Sequence, residues 1–187
     1  METIPKVLLP LAQGCEDLES VTVIDIMRRA NIDVTVASLN GNHVTCARGT
    51  VIVADTTLDD VISDKFDMIV LPGGLPGADN LNSDPRIHQI IDRLNKEEKY
   101  VAAICAGPKV LVKNGILNGK KSTGYPDSLS EVDTSKVEVT DEAIVVDGNV
   151  ITARSVGTSI EFALTLIEKL SGKEALKKVE DLIIRGK

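Results

Sequence analysis

The fold of this chain is decided by the stretch Tyr100-Val101-Ala102-Ala103-Ile104-Cys105-Ala106-Gly107-Pro108. Its apolar first half follows a charged run at residues 96–99 and predicts a short strand buried in a sheet. Gly107 and Pro108 suit the first turn of a helix, so a single cysteine stands at the junction of strand and helix. Small residues two positions before and after that cysteine are typical of a nucleophile elbow, a tight turn that raises one side chain above the sheet edge.

This stretch alone supports two interpretations of Cys105. A thiol that faces the positive end of a helix dipole is stabilised as the reactive thiolate. A free cysteine is more often a small hydrophobic residue packed beneath a sheet. The elbow pattern favours the reactive interpretation but does not exclude the packed one.

The composition bounds the class of protein. The chain has 187 residues, enough for one α/β domain with a full core, so we expect a single domain over residues 1–187. A net charge of −7 without a basic block argues against a nucleic-acid-binding surface. We expect no membrane segment, because no apolar run approaches ~20 residues, and the first residues lack a signal-peptide pattern. Three cysteines without a Cys-x-x-Cys pair fit a reduced, cytoplasmic protein better than a disulfide framework.

Strand-like apolar runs alternate with amphipathic segments along the whole chain, which predicts an α/β fold with a doubly wound, mostly parallel sheet. The predicted strands are residues 7–12, 32–38, 68–71, 100–104 and 150–152, with short runs at 137–139 and 144–146 and an excursion hairpin of 44–46 with 51–53. The predicted helices are residues 16–30, 58–62, a segment from 85, a segment from 108, 157–170 and a last helix that carries Leu176, Val179 and Ile183.

Glu19 occupies an unusual position on the first predicted helix. It shares one stripe with the apolar residues Val23, Ile26 and Met27. Burial of a carboxylate is costly unless the group is protonated or partnered. The alternative is a first-turn glutamate that faces water near the helix dipole, and for Glu19 taken alone the ordinary exposure of glutamate favours this alternative.

The same helix carries a second apolar patch on its other side. Leu18, Val21 and Ile24 form this patch. An apolar patch beyond the one that the core needs suggests a subunit interface.

Gly73 and Gly74 follow the strand 68–71 in a glycine-rich turn. The turn lacks the Gly-x-Gly-x-x-Gly spacing of a dinucleotide site, and residues 115–122 lack the spacing of a phosphate loop, so neither predicts a nucleotide cofactor. The turn either presents backbone N–H groups to a small anion or oxyanion, or is a plain tight turn. Arg48, at the tip of the excursion hairpin, is either a solvated charge or a group that reaches over a site to hold an anion.

Three strand ends carry these unusual residues, and the carboxyl ends of parallel strands meet at one edge of a sheet. The first strand leads to Gly14, Cys15 and Glu19, the strand 68–71 leads to Gly73 and Gly74, and the strand 100–104 leads to Cys105. Together they would supply an acid or base, an oxyanion donor and a nucleophile. The convergence favours the functional interpretation of all of them.

Several segments taken together resemble the ThiJ/PfpI superfamily, and most closely its parkinsonism-associated protein deglycase branch. The likeness covers nearly the whole chain, and the combination is specific although each segment alone is not. The segments are residues 14–19, 46–48, 70–74, 102–108 and 157–163.

The resemblance implies a flavodoxin-like fold with helices on both faces of the sheet, usually assembled as a homodimer through the first helix. It implies that Cys105 is the nucleophile and a readily oxidised thiol, and that protonated Glu19 hydrogen-bonds its sulfur. It places backbone N–H groups of Gly74 and Ala106 at the substrate, with Arg48 near the site. It implies activity on reactive carbonyls without cofactor or metal.

The chain departs from this branch at two places. Tyr125 stands where the family often has histidine, so we expect no Cys–His pair in this chain. The resemblance places Tyr125 at the substrate site together with Gly73. Ser155-Val156 replaces the Gly-Pro that commonly follows the arginine, here Arg154. His43 and His88 are interpreted as surface residues.

Three functions remain as hypotheses. The first is a cofactor-free cysteine enzyme that converts methylglyoxal or glyoxal to lactate or glycolate, or removes such adducts from glycated proteins and nucleotides, with a role in oxidative stress. The second is a non-catalytic redox sensor or chaperone that uses oxidation of Cys105. The third, a cysteine peptidase, is disfavoured because Ala106 replaces the histidine of the protease branch.

Overall fold

The computed structural model describes residues 4–184. Its strands are β1 (Lys6–Leu11), β2 (Asp33–Ser38), β3 (His43–Thr45), β4 (Val51–Val53), β5 (Thr56–Thr57), β6 (Met68–Leu71), β7 (Tyr100–Ile104), β8 (Lys121–Ser122), β9 (Glu138–Val139), β10 (Ile144–Asp147) and β11 (Val150–Ala153). Its helices are α1 (Asp17–Arg29), α2 (Leu58–Val61), α3 (Leu75–Ser83), α4 (Pro85–Lys96), α5 (Pro108–Asn114), α6 (Pro126–Ser130) and α7 (Ser159–Leu182). A turn of 3-10 helix, Val156–Thr158, precedes α7.

Seven strands form the central sheet in the order β10-β11-β7-β6-β1-β2-β5. All neighbours pair in parallel except β10, which pairs with β11 in antiparallel fashion. The five inner strands, β2-β1-β6-β7-β11, follow the 2-1-3-4-5 order of flavodoxin-like sheets. The predicted α/β fold with a doubly wound, mostly parallel sheet is therefore confirmed.

Both faces of the sheet are covered by helices and buried. Successive side chains of a strand point to opposite faces, so each strand contributes to both cores. In β1, Val7, Leu9 and Leu11 enter one apolar core, whereas Leu8 enters the other. The first core also contains the apolar stripes of α1 and α7, and the second contains those of α4 and α5. The strands are thus fixed from both sides, and their carboxyl ends form a rigid edge for a site.

Two helices were not expected from the sequence. α3 begins directly after Gly74 and α6 after Tyr125, where proline and glycine predicted turns. Proline is tolerated in the first turn of a helix, where its missing N–H has no helical partner. The two predicted C-terminal helices are joined as α7, with a non-helical backbone at Gly172 (φ 81°).

The second apolar patch of α1 is smaller than predicted. Leu18 and Val21 are 50% and 48% exposed, whereas Ile24 is partly buried against the core of α1 and α7. Ile160 of α7 is also exposed, and it lines the same surface groove as Val21. The exposed patch of Leu18, Val21 and Ile160 therefore bridges two helices.

Candidate active site

Cys105 follows β7 directly and has φ +60°, a left-handed backbone conformation that is uncommon for a residue other than glycine. Two backbone hydrogen bonds hold it there: its N–H donates to Ala153 O (3.0 Å), and Tyr125 N–H donates to its carbonyl oxygen (2.7 Å). Gly107 caps α5 immediately afterwards. The strained turn between strand and helix is the predicted nucleophile elbow.

Close packing around the elbow leaves room only for glycine at two positions. A β-carbon built on Gly107 would lie 2.6 Å from Leu71 O. A β-carbon on Gly73 would lie 2.8 Å from Cys105 Cβ and 2.7 Å from Glu19 Oε2. The loop after β6 therefore touches both the cysteine and the glutamate.

Glu19 is fully buried in the first turn of α1. Gly73 N–H donates to its Oε2 over 2.7 Å. Among residues 4–184, its other oxygen, Oε1, has no partner that meets hydrogen-bond geometry. The interpretation of Glu19 as a solvent-facing residue is wrong. Glu19 faces the core, as its position on the apolar stripe of the helix indicated. Gly73 presents its amide to the Glu19 carboxyl, so this N–H is not open to a substrate.

Burial is the largest cause of an altered pKa at both Glu19 and Cys105. It raises the pKa of Glu19 to about 7, with a smaller upward contribution from the Glu16 charge, against the Gly73 amide and the Cys105 thiol, which lower it. Burial and then the Glu19 charge raise the pKa of Cys105 to about 12. The two groups therefore titrate as a coupled pair that releases one proton near neutrality and keeps the other.

This result differs from the thiolate expected at a helix start. The backbone N–H groups of Ala106 and Gly74 do lower the pKa of Cys105, but burial and the neighbouring carboxylate outweigh them. In the singly ionised pair, one proton is shared between the carboxyl and the thiol. A thiolate consequently forms when Glu19 holds that proton, and this couples the nucleophile to the acid.

The backbone N–H groups of Gly74 and Ala106 lie close enough to the Cys105 sulfur to lower the pKa of the thiol. Gly74 has φ +84° and caps α3. A β-carbon there would lie 2.4 Å from Gly14 O and 2.7 Å from Glu16 N. Glycine is needed because only it adopts this conformation without strain and fits against the β1–α1 turn.

Arg48 lies beside the first turn of α1 but points mainly into solvent. Its side chain is 78% exposed, and its Nε is 3.9 Å from Glu16 Oε2. The Asp17 carboxylate accepts the backbone N–H groups of Arg48 (2.8 Å) and Thr50 (3.0 Å), which fixes the hairpin loop to α1. Arg48 is thus linked to the site through Glu16.

Glu16 is the residue of this region that sequence reasoning missed. It is three residues before Glu19, so the two share one side of the helix start. Its side chain is only 13% exposed, and its charge raises the pKa of Glu19. The separation of three residues between Glu16 and Glu19 was the sequence feature that could have indicated this role.

Tyr125 contributes its backbone to the elbow, and its side chain is 39% exposed. Neither histidine is among the main causes of the pKa shifts of Cys105 and Glu19. His43 is exposed as expected, but His88 is half-buried, with Nε2 2.8 Å from Asn82 O, because Asn82 and Asn114 pack beside it.

Two further properties concern residues 4–184. No group of three or more His, Cys, Asp or Glu side chains in this range is arranged to hold a metal ion. The helices between residues 4 and 184 all fall short of the length and apolarity that a bilayer-spanning helix needs.

The fold and the site together define a class: flavodoxin-like α/β proteins with a nucleophile-elbow cysteine beside a buried glutamate. The DJ-1/PfpI family model matches residues 5–169, and the chain belongs to this family. Protein dj-1beta of Drosophila melanogaster is 43% identical over 173 residues, 92% of each chain. Its crystal structure superposes with a TM-score of 0.94, at 39% identity, covering 99% of this chain and 100% of that one.

A second relative carries a name that specifies an activity. It is the glutathione-independent glyoxalase DJR-1.2 of Caenorhabditis elegans, 35% identical over 170 residues, which are 90% of this chain and 89% of that protein. The family resemblance noted in the sequence is thereby confirmed, and the family includes an enzyme that acts on glyoxals.

Proposed function

We propose that this chain is a cofactor-free, glutathione-independent glyoxalase that converts methylglyoxal or glyoxal to lactate or glycolate. The observation that carries the proposal is the buried Glu19–Cys105 pair, in which the carboxyl has a pKa of about 7. A group that titrates near the working pH can both donate and accept a proton. The glyoxalase name of the relative from Caenorhabditis elegans supports the substrate class.

The first step starts from the singly ionised pair in which Glu19 holds the proton, and the Cys105 thiolate adds to the aldehyde carbon. A C–S bond forms and the carbonyl π electrons move to oxygen, where the N–H groups of Gly74 and Ala106 stabilise the negative charge. Glu19 gives its proton to this oxygen, which leaves a neutral hemithioacetal and a carboxylate. The amides that lower the pKa of the thiol thus stabilise the negative charge first on the sulfur and then on the substrate oxygen.

The second step is proton transfer between the two carbons of the substrate. The Glu19 carboxylate removes the hydrogen on the carbon bonded to sulfur, and the electron pair moves through the adjacent carbonyl to its oxygen, which gives an enediolate. The hydroxyl proton of the sulfur-bearing carbon then moves to that oxygen. Glu19 then returns the proton to the adjacent carbon, which gives a thioester of the hydroxy acid. Water hydrolyses the thioester, releases lactate or glycolate and restores the thiol, so the overall reaction consumes one water and no oxidant.

The same chemistry extends to early adducts of glyoxals on proteins and nucleotides. Such an adduct is an aldehyde that has already added a thiol or amine, and its reversal delivers the carbonyl to Cys105. Deglycase activity is therefore the second activity that we assign to this site. Arg48 and Tyr125 are both exposed to solvent, which suits contact with a large substrate.

A redox function of Cys105 is the alternative. Oxidation to a sulfinate would place negative oxygens where the Gly74 and Ala106 amides already act on the sulfur. Under this alternative the protein senses oxidants, or acts as a chaperone, without turnover of glyoxals.

The test is formation of lactate from methylglyoxal by purified protein without glutathione. Cys105→Ser and Glu19→Gln should both abolish it, because one removes the nucleophile and the other the base. Glu97→Gln is the matched control, since Glu97 is exposed and precedes β7 at the end opposite Cys105. Full turnover in Glu19→Gln would refute the mechanism. No turnover in the unmodified chain, with gain of two oxygens on Cys105 after mild peroxide, would favour the redox alternative.

A further inference from the structure

Cys15 and Cys46 are two cysteines that the proposed reaction does not use. Their sulfur atoms lie 3.5 Å apart in the protein interior. Cys15 comes from the β1–α1 turn and Cys46 from the end of β3, and both side chains are buried. We propose that Cys15 and Cys46 form a second redox site, in which the two thiols are oxidised reversibly to an intramolecular disulfide.

The backbone around the pair already has a suitable spacing. Gly14 N–H donates to Thr45 O over 2.8 Å, and Ala47 N–H donates to Cys15 O over 2.8 Å. Two such bonds hold the segments side by side like neighbouring strands, whose backbones are about 5 Å apart. Disulfides need Cα atoms roughly 4.4–6.8 Å apart, so the bond requires rotation of the side chains and little backbone movement.

The oxidant assigned to this site is hydrogen peroxide, which is small enough to reach a buried thiol. One cysteine sulfur attacks a peroxide oxygen, an S–O bond forms and the O–O bond breaks. The departing hydroxide takes up the thiol proton and leaves as water. The second sulfur then attacks the sulfenic sulfur, an S–S bond forms and the S–O bond breaks. The second hydroxide leaves with the other thiol proton as another water.

The surroundings favour a disulfide over further oxidation. Burial raises the pKa of Cys15 and, as the largest cause, raises that of Cys46 to about 12, so both thiols stay protonated at rest. Attack by peroxide is therefore slow. Once one sulfur is oxidised, the other lies in contact with it and completes the disulfide before a second oxidant molecule arrives.

The disulfide would tie the hairpin loop to the wall of the candidate active site. The hairpin carries Arg48, two residues after Cys46. Cys15 is followed by Glu16, whose N–H donates to Gly73 O over 3.0 Å. A bond between the two cysteines thus joins the arginine loop covalently to the turn that supports the Gly73–Gly74 loop.

The experiment uses the full chain. Trypsin places each cysteine on its own peptide, so a link between two of them can be identified: the peptides are residues 7–28, 30–48 and 100–109. Protein treated with graded hydrogen peroxide is denatured, free thiols are blocked with N-ethylmaleimide, and the peptides are analysed by mass spectrometry. We expect peptides 7–28 and 30–48 to appear linked with loss of two hydrogens, and dithiothreitol to separate them. Cys105→Ser should form the linked pair to the same extent, whether or not the protein turns over glyoxals.

Cys15→Ser and Cys46→Ser should each abolish the linked pair, and Cys15→Ala serves if the buried hydroxyl impairs folding. The proposal is overturned if the two peptides never link while Cys105 is oxidised. It is also overturned if they gain oxygen without linking, or if the only linked peptides contain Cys105. None of these outcomes depends on glyoxalase activity, so this proposal and the proposed function fail separately.

Discussion

Glu19 and Cys105 lie in different elements, α1 and the end of β7, yet each alters the pKa of the other. The link between them is the Gly73 loop, whose amide holds Glu19 Oε2 at 2.7 Å. Because both groups are removed from water, the pair ionises in two well-separated steps, with pKa values of about 7 and about 12. Most of the chemistry expected of this protein follows from that coupling.

The first prediction concerns the thiol. Glu19→Gln removes the negative charge that raises the pKa of Cys105, so that pKa should fall by about one unit or more. Alkylation of Cys105 by iodoacetamide near pH 8 should then be roughly tenfold faster or more, although glyoxal turnover is lost. Glu97→Gln should alkylate at the rate of the unmodified chain. Slower alkylation in Glu19→Gln would show that protonated Glu19 already stabilises a thiolate.

The second prediction concerns stability. Folding raises the pKa of Glu19 from 4.5 to about 7, so the folded state binds more protons than the unfolded state between these values. This contribution to stability is fully present below about pH 4.5 and is lost as the pH rises through about 7, a change of roughly 3 kcal/mol.

Glu19→Gln should remove this part of the pH dependence, because glutamine keeps an acceptor for the Gly73 N–H and carries no charge. In urea unfolding, the variant should gain stability relative to the unmodified chain as the pH rises from about 4 to about 8. A difference that stays constant with pH would contradict a raised pKa of Glu19.

The third prediction concerns the pH dependence of turnover. The reacting form is the singly ionised Glu19–Cys105 pair, which forms as the pH passes through about 7, so kcat should rise there. Glu16→Gln removes a charge that raises the pKa of Glu19, and it should move the rising limb to lower pH by a fraction of a unit. The readout is kcat as a function of pH for lactate formation. A limb that moves to higher pH in Glu16→Gln would contradict the assignment.

The fourth prediction concerns the loop that joins the pair. Gly73→Ala places a β-carbon 2.7 Å from Glu19 Oε2 and 2.9 Å from Ala106 N, closer than real contacts allow. We expect turnover to fall by about two orders of magnitude, because misplacement by about 1 Å has effects of that size. Gly157→Ala is the control, since its nearest neighbour, Ser155 Oγ, would lie at 3.9 Å. Equal activity of the two variants would show that the Gly73 loop does not position the pair.

The fifth prediction concerns the exposed patch of Leu18, Val21 and Ile160. We expect this patch to pair with a second copy of the chain, because it spans α1 and α7 and is apolar without serving either core. Val21→Arg should convert a dimer to a monomer in size-exclusion chromatography with light scattering. Val146→Arg, at an exposed valine of edge strand β10, should leave the mass unchanged. A monomeric unmodified chain would contradict the assignment.

Much of the fold was accessible from the sequence because local signals agreed with it. Strand β6 and the elbow were predicted from short apolar runs followed by glycine. The apolar stripe of α4 was predicted from apolar residues that recur at helical spacing. α3 was not predicted, because Pro76 and Gly77 are turn formers in isolation. Gly77 is retained there because a β-carbon would lie 2.5 Å from Cys15 Cα, a contact between segments remote in the sequence.

The sequence by itself determined the class of fold, the position of the nucleophile elbow and the stripe that carries Glu19, because period, capping and turn chemistry are local properties of the chain. The tertiary structure alone decided that Glu19 is buried, that Gly73 is its hydrogen-bond donor and that Cys15 lies against Cys46. It also places the Cys105 sulfur away from water and beside Glu19, and both effects raise the pKa of the thiol. The pKa of a group depends on its burial and on the charges that all neighbouring elements bring near it. The start of one helix is only one of these contributions.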